Sequence, residues 1–167
     1  MERKYTRYDA VIKYIDELLL SIEDGWYMRQ YFVHLYGVSQ LAFIISMNRG
    51  NSLYDSELAA ISGLMHDVYK LKIYEEEDHG VKGSVIARNI LNEIGQFTGE
   101  EIDLICNAIA NHSNKDKVDN EFDEILKDAD AMHIWLRNPV EKLYVDSRRI
   151  EKVSGELQFN NFSIFDK

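Results

Sequence analysis

Residues 64–70 read Leu64-Met65-His66-Asp67-Val68-Tyr69-Lys70 and close a predicted helix. That helix is expected to begin at the start signal Asp55-Ser56-Glu57 and to run through Met65. Neighbouring residues on a helix face different directions, so His66 and Asp67 can converge on one ion only if the helix ends there and the chain turns. An imidazole beside a carboxylate suits a divalent metal such as manganese, iron, zinc or magnesium. The dipeptide alone is a weak indication of a metal site, so the interpretation depends on the other residues of the chain.

The sequence around this stretch is helical in its pattern. Apolar residues recur every three to four positions, the single proline is Pro139, and the nine glycines fall mostly between the periodic segments. Thr98 with Glu101 matches a capping box, and Pro139 suits the first turn of a last helix. The predicted helices span residues 8–22, 27–47, 55–65, 81–94, 98–110, 121–137 and 139–153. We therefore predict one all-α domain over residues 1–167, a single bundle of about seven helices.

Only the tail departs from this pattern. Residues 157–159 and 162–165 alternate briefly between apolar and polar, which is typical of an extended segment over the core or of a loose end.

Composition restricts the class of partner. The chain has 167 residues, 19 Lys and Arg against 29 Asp and Glu, and a net charge of −10, which excludes a nucleic-acid polymer as partner.

The one cysteine, Cys106, forbids an intramolecular disulfide, and its place inside a predicted helix favours a core role over that of a nucleophile. No signal peptide and no membrane-spanning run is recognisable. We expect a soluble, cytoplasmic protein that does not bind membranes.

Two further histidines lie on apolar helix faces. His34 shares its face with Val38 and Leu41, and His112 follows Ile109 at the end of the same apolar stripe of its helix. A satisfied core histidine is the simpler interpretation of either residue taken alone. The ten tyrosines and two tryptophans are spread through helical segments, so we expect most of them in the core and no base-stacking platform.

Asp130 is an ionisable residue on an apolar face, beside Ala129 and His133. A buried carboxylate is costly unless it is paired or bound to metal, so Asp130 needs a partner. Asp128 points elsewhere on the same helix and is expected to be solvated or to support the site from outside. His133 is expected to be a core or pocket-lining residue.

Together these residues resemble a known signature. His34, His66-Asp67 and Asp130, in this order and these local contexts, resemble the His…His-Asp…Asp signature of the HD-domain metal-dependent phosphohydrolase superfamily. The resemblance runs from about Tyr31 to Trp135. It implies that the four signature residues bind a divalent metal ion.

Two more elements extend the resemblance to the six-ligand type, such as the bacterial diadenosine tetraphosphatase branch. They are Asp78-His79-Gly80 at the start of a helix and Asn111-His112-Ser113 at the end of another. Members with both histidines hold two ions. The resemblance therefore implies that His79 and His112 hold a second ion and that Asp67 bridges the two. The alternative for His79 is an exposed loop histidine.

The function implied is hydrolysis of a phosphate ester or anhydride in a small nucleotide-like metabolite, through metal-activated water. Asp67 and Lys70 are the implied catalytic residues. Lys70 lies where the family places a lysine near the substrate phosphate, although a solvated surface lysine is the alternative. Lys115 is a weaker substrate-binding candidate, as are Lys82 and Arg29. The metal could be iron, manganese, zinc, magnesium or nickel.

Two other functions share this ligand set. Six-ligand members of the superfamily include di-iron oxygenases, and members that have lost ligands act as non-catalytic sensors. The intact set of His34, His66, Asp67 and Asp130 speaks against the sensor. Oligomeric state stays open, because the helices are amphipathic but carry no sustained heptad seam.

Overall fold

The computed structural model describes residues 6–73, 77–137 and 146–159. Within these ranges the chain forms eight α-helices and no β-strand, so the prediction of an all-α fold is confirmed. In chain order the helices are α1 (Arg7–Leu20), α2 (Gly25–Asn48), α3 (Leu53–Met65), α4 (Val68–Ile73), α5 (His79–Ile94), α6 (Gly99–Asn111), α7 (Glu121–Arg137) and α8 (Ser147–Glu156). The short α4 is the helix that the sequence prediction did not include. No helix in the described part combines the length and apolar character that a bilayer crossing requires.

Side-chain caps fix where several helices begin. The hydroxyl of Thr98 accepts the backbone N–H of Glu101, whose carboxylate accepts the backbone N–H of Thr98 in return, so the predicted capping box is confirmed. Thr6 forms an equivalent box at the start of α1. Asp24 and Ser52 accept backbone N–H bonds at the starts of α2 and α3. These caps satisfy N–H groups that have no partner inside the helix.

The packing of α2 against α3 and α7 determines the position of the site. A glycine permits the close approach of α3, because a Cβ at Gly63 would lie 2.8 Å from the Cα of Ser39 on α2. That neighbour is backbone and cannot rotate away. The approach brings the end of α3 beside the middle of α2, where His34 lies. The helices α5 and α6 pair with each other on the other side of the turn after α3.

The last predicted helix needs correction. It was expected to run from Pro139 to Val153, but α8 begins only at Ser147. Asp146 before it is extended, with φ −64° and ψ 97°, and its carboxylate caps the helix by accepting the backbone N–H of Arg148. Pro139 itself lies outside the described residues.

The tail pattern allows an extended segment over the core or a loose end, and residues 157–159 form neither. Leu157 caps α8, and the backbone N–H of Phe159 donates to the carbonyl of Ser154 at 2.9 Å, so the chain forms a tight turn here rather than a strand. Leu157 packs against the core. Residues 160–167, which include the second predicted alternation, lie outside the described residues.

Candidate metal centre

The chain turns at His66-Asp67, which is the condition under which these two side chains can converge. The helix α3 ends at Met65, and α4 begins at Val68. The Nε2 atom of His66 and the Oδ2 atom of Asp67 lie 3.5 Å apart. Two adjacent side chains that would diverge on a continuous helix therefore face one common point.

Four donor atoms meet at this point and form what we call the four-donor cluster. They come from α2, from the α3–α4 turn and from α7, and they are His34 Nε2, His66 Nε2, Asp67 Oδ2 and Asp130 Oδ1. The two nitrogens lie 3.2 Å apart. Each nitrogen lies within 3.8 Å of both oxygens. All four side chains are buried.

A second group, the three-donor cluster, lies on the other side of Asp67. It consists of Asp67 Oδ1, His79 Nε2 and His112 Nε2; the two nitrogens lie 3.1 Å apart, and each lies 3.6 Å from the oxygen. His79 is the first residue of α5, and His112 caps the end of α6. The side chain of His79 is 15% exposed, so the alternative of an exposed loop histidine is wrong.

Gly80 allows the two helix ends of the three-donor cluster to meet. A Cβ at this position would lie 2.9 Å from the carbonyl oxygen of Ala110 and 3.0 Å from that of Ile109. Any larger residue would push the start of α5 away from the end of α6. His79 and His112 would then separate with their helices.

Asp67 faces both clusters, with one oxygen toward each. Its Oδ1 and the Oδ1 of Asp130 are buried and accept no hydrogen bond from the residues that the structure describes. A buried carboxylate oxygen without a partner is costly. Nitrogen and oxygen ligands bind transition metals at about 2.0–2.2 Å, so the ligands of one ion lie about 3–4 Å from one another. The spacing and the unpartnered oxygens both fit divalent cations. His66, His112 and Asp130 also have donor atoms within 4.8 Å of one another, so the two clusters are contiguous.

Burial and charge set the protonation of these groups. Burial lowers the pKa of His66 to about 3, so its imidazole is neutral at neutral pH. Burial acts to raise the pKa of Asp67, but neighbouring groups led by His66 hold this pKa well below its usual range. Burial opposes ionisation of Asp130 in the same way, and Lys115 is the first of the groups that lower its pKa. Neutral imidazoles and ionised carboxylates are the forms that bind metal.

The outer nitrogens of the buried histidines have different partners. Nδ1 of His66 and Nδ1 of His112 each lie 2.7 Å from the backbone carbonyl three residues earlier, to which an Nδ1–H donates. Nδ1 of His34 instead lies 3.0 Å from Nδ1 of His133, a side chain on α7. Sequence reasoning assigned no such contact to His133. The indication that the sequence did offer is that His133 follows Asp130 by one helical turn and so lies on the same face of α7.

Both lysines predicted to bind substrate lie at the site. Nζ of Lys70 is 2.9 Å from Oδ2 of Asp67. Nζ of Lys115 donates to Oδ2 of Asp130 at 2.5 Å and to the backbone carbonyl of His112 at 2.6 Å. Lys115 therefore holds the Asp130 oxygen that is turned away from the four-donor cluster.

The two weaker candidates lie elsewhere. Arg29 lines a separate cavity between α1 and α2 and not the one that Lys70 lines. Nζ of Lys82 lies 5.2 Å from the ring centroid of Tyr69, a cation–π contact beside α4.

A cavity of about 310 Å³ opens beside the four-donor cluster. Trp26, Tyr27 and Tyr31 from α2 line it, together with Lys70 from α4 and Arg137 from α7. The sequence pattern predicts core roles for most tyrosines and no base-stacking platform. Tyr27 and Tyr31 do pack against the core, but they also form a wall of this cavity, which the pattern did not predict. The indication was present, because Tyr27 and Tyr31 precede His34 at helical spacing and share its face.

Of the two alternatives for Asp128, the solvated carboxylate is wrong, because the residue is fully buried, and the carboxylate that supports the site from outside agrees with its contacts. Its Oδ1 accepts a bond from Arg149 at 2.6 Å, and its Oδ2 accepts bonds from Arg49 at 2.5 Å and Lys152 at 2.9 Å. Arg149 also donates two bonds to the backbone carbonyl of Lys115. Asp128 thus ties α7 to α2 and α8, two residues before Asp130.

A comparison with known families identifies the protein class. The family model of the HD domain matches residues 31–135. The chain belongs to the HD domain family. HD domains are generally metal-dependent hydrolases that bind divalent metals. In this HD domain the matched residues include every member of both clusters. No curated protein and no solved structure matches the chain.

Proposed function

We propose that this HD domain is a metal-dependent phosphohydrolase that cleaves a phosphate ester or anhydride in a small phosphorylated metabolite. The carboxylate of Asp67 carries the proposal. One of its oxygens faces the imidazoles of His34 and His66, and the other faces those of His79 and His112. This arrangement supports two ions per chain, one in each cluster.

The donor chemistry indicates the kind of ion. Magnesium and calcium prefer sites made of oxygen ligands, whereas each cluster here contains two imidazole nitrogens. Mixed imidazole and carboxylate sites favour iron, manganese, zinc or nickel. When bound, such ions supply Lewis acidity toward phosphoryl oxygens and lower the pKa of the attacking water.

Lys70 and Arg137 are the proposed contacts to the substrate phosphate. Both line the cavity beside the four-donor cluster, and Lys70 lies against Asp67 at the boundary between the cavity and the metal ligands. A phosphoryl group bound in the cavity would contact the positively charged side chains of Lys70 and Arg137 on its wall. The two side chains would hold its oxygens while negative charge develops on the leaving group.

The cavity limits the size of the substrate. Its volume of about 310 Å³ lies at the lower end of the range for small-molecule sites. The ring of Trp26 at its mouth and those of Tyr27 and Tyr31 offer flat surfaces for a planar group. We therefore favour a substrate with one nucleoside-sized unit over one with two linked nucleosides.

Phosphate release tests the proposal. The protein is loaded with manganese or iron and assayed against nucleoside monophosphates, nucleoside polyphosphates, dinucleoside polyphosphates and pyrophosphate. For the best substrate, Lys70→Gln should lower kcat/KM about 100-fold, because it removes a charged donor to the transition state, while metal content stays unchanged. The matched control is Lys13→Gln, an exposed lysine on α1, which should leave kcat/KM unchanged.

Other outcomes point to the two alternative functions. Oxygen uptake by the iron-loaded protein with no phosphate release would replace the hydrolase with an oxygenase. Metal binding without turnover of any kind would leave a binding module. A His66→Ala/Asp67→Ala double variant that keeps the metal content of the wild type would contradict both enzyme functions.

A further inference from the structure

His34 differs from the other buried histidines in what orients it. His66 and His112 direct Nδ1 at backbone carbonyls of their own helices, which no substitution of a side chain can remove. Among the described residues, the only hydrogen-bond partner of Nδ1 of His34 is Nδ1 of His133. This contact joins α2 to α7. The orientation of His34 therefore depends on one replaceable side chain.

We infer that His133 is a positioning residue that fixes the tautomer and the ring orientation of His34 for metal binding, an inference that rests on the proposed metal centre. A neutral imidazole carries one proton, and a nitrogen that binds metal carries none. With Nε2 of His34 in the four-donor cluster, its proton lies on Nδ1. That N–H donates to Nδ1 of His133, whose own proton is then on Nε2.

The packing around His133 supports this role. A Cβ at Gly37 would lie 2.0 Å from Nε2 and 2.1 Å from Cδ2 of His133, so the ring rests directly against the backbone of α2. Gly37 lies three residues after His34 in the interior of α2. Glycine inside a helix is less favourable than alanine, and here it leaves the space that the His133 ring occupies.

The position of His133 on α7 adds to the argument. It follows Asp130 by three residues, so one turn of α7 supplies both a donor atom of the four-donor cluster and the partner of another. His133 is 8% exposed, and the ring centroids of His34 and His133 lie 5.1 Å apart. Metal-binding histidines commonly donate their second N–H to such a partner, and loss of the partner typically costs about 10–100-fold in metal affinity.

A pair of variants separates this role from simple packing. His133→Asn keeps an oxygen that can accept the N–H of His34, whereas His133→Leu fills similar space without an acceptor. Both are made in a His79→Ala background, so that only the four-donor cluster is titrated. Cobalt(II) is the probe, and its visible absorption reports the coordination of the bound ion.

We expect His133→Leu to weaken cobalt binding about 10–100-fold and to shift the absorption band, and His133→Asn to restore much of the affinity. Equal cobalt affinity and equal spectra in the Leu variant and its parent would overturn the inference. If the wild-type chain binds no cobalt at all, the proposed metal centre fails, and the inference fails with it.

A second experiment uses the zinc-loaded wild type, so its result does not depend on whether a variant folds. Long-range proton–nitrogen NMR spectra of the imidazoles report which nitrogen carries the proton. We expect the proton on Nδ1 of His34 and on Nε2 of His133. A proton on Nδ1 of His133 would overturn the inference, because that nitrogen could then accept nothing from His34.

Discussion

The two clusters that share Asp67 are built from different parts of helices. In the four-donor cluster, His34 and Asp130 lie in the interiors of α2 and α7, which hold the backbone on both sides. In the three-donor cluster, His79 is the first residue of α5 and His112 caps the end of α6. Helix ends fray more readily than helix interiors. The four-donor cluster therefore takes two of its donors from helix interiors, whereas the three-donor cluster takes none.

The four-donor cluster also has more contacts that hold its residues in place than the three-donor cluster has. Behind the four-donor cluster, Lys115 holds Asp130, and the ion pairs of Asp128 tie α7 to its neighbours. The three-donor cluster depends on the close approach at Gly80. More donors on better supported backbone bind an ion more tightly, so we expect the four-donor cluster to fill first.

The largest expected effect on metal binding comes from substituting Asp67, the residue that the two clusters share. Asp67→Asn keeps the shape of the side chain but replaces one oxygen with an NH₂ group and removes the charge. Both ions should bind more than about 100-fold more weakly, since even loss of an outer partner costs 10–100-fold, and phosphate release should fall accordingly. Elemental analysis and steady-state kinetics measure this. Asp103→Asn, at an exposed carboxylate on α6, is the control, and two ions retained in Asp67→Asn would contradict a shared ligand.

The next prediction separates the clusters. His79→Ala should lower the metal content from two ions per chain to one, because the four donors on the other side stay in place. Asp130→Asn should weaken the other ion instead. Metal content after dialysis against a weak chelator distinguishes the two variants. If His79→Ala empties both clusters, they act as one unit, and the contrast between them disappears.

A third prediction concerns the support of α7. Asp128→Ala leaves Arg49, Arg149 and Lys152 without their buried partner. Breaking a buried ion pair costs about 3–5 kcal/mol, which corresponds to a fall in Tm of about 6 °C or more in a chain of this size. Thermal unfolding followed by circular dichroism measures it. Asp116→Ala, at an exposed carboxylate, should change the free energy of unfolding by less than about 0.5 kcal/mol, and equal Tm values for the two variants would refute the proposed support.

The smallest effect is expected at the start of α6, which carries His112 at its other end. Glu101 accepts bonds from Arg7, Tyr54 and the backbone of Thr98. Burial acts to raise its pKa, but these bonds lower it from 4.5 to about 2. Because the folded pKa is the lower one, ionised Glu101 stabilises the fold above pH 4.5, and this stability is lost as the pH falls towards 2.

Glu101→Gln should therefore cost about 2 kcal/mol at pH 7, because it removes a charged acceptor, and the difference from wild type should shrink in acid. Urea unfolding at several pH values measures this. Glu100→Gln, the exposed neighbour, provides the control. A difference that stays constant between pH 7 and pH 3 would show that the charge of Glu101 is not what stabilises α6.

The sequence predicted the elements that depend on local rules. Helix periodicity, the Thr98 capping box and the end of α3 at Met65 follow from local sequence patterns, and the structure confirms them. The same spacing placed His34, His112 and Asp130 on buried faces, where the structure has them. That these residues bind metal remains the prediction of the resemblance and of the proposed function.

What the sequence could not predict depends on which helix packs against which. His133 contacts His34, 99 positions away, through a gap that exists because residue 37 is glycine. The burial of Asp128 depends on cations from α2 and α8 that no local pattern connects. The start of α8 at Ser147 follows from the cap at Asp146, which the sequence prediction did not include.

Under the proposed function, the carboxylate of Asp67 would also link the two ion-binding equilibria. Its two oxygens move together, so an ion that holds Oδ2 fixes where Oδ1 points. Under the proposed function, occupation of either cluster then changes the affinity of the other, and thermodynamic linkage requires the factor to be the same in both directions. Metal loading of this domain would follow a coupled two-step isotherm, and the supply of ions in the cell would control both steps through one side chain.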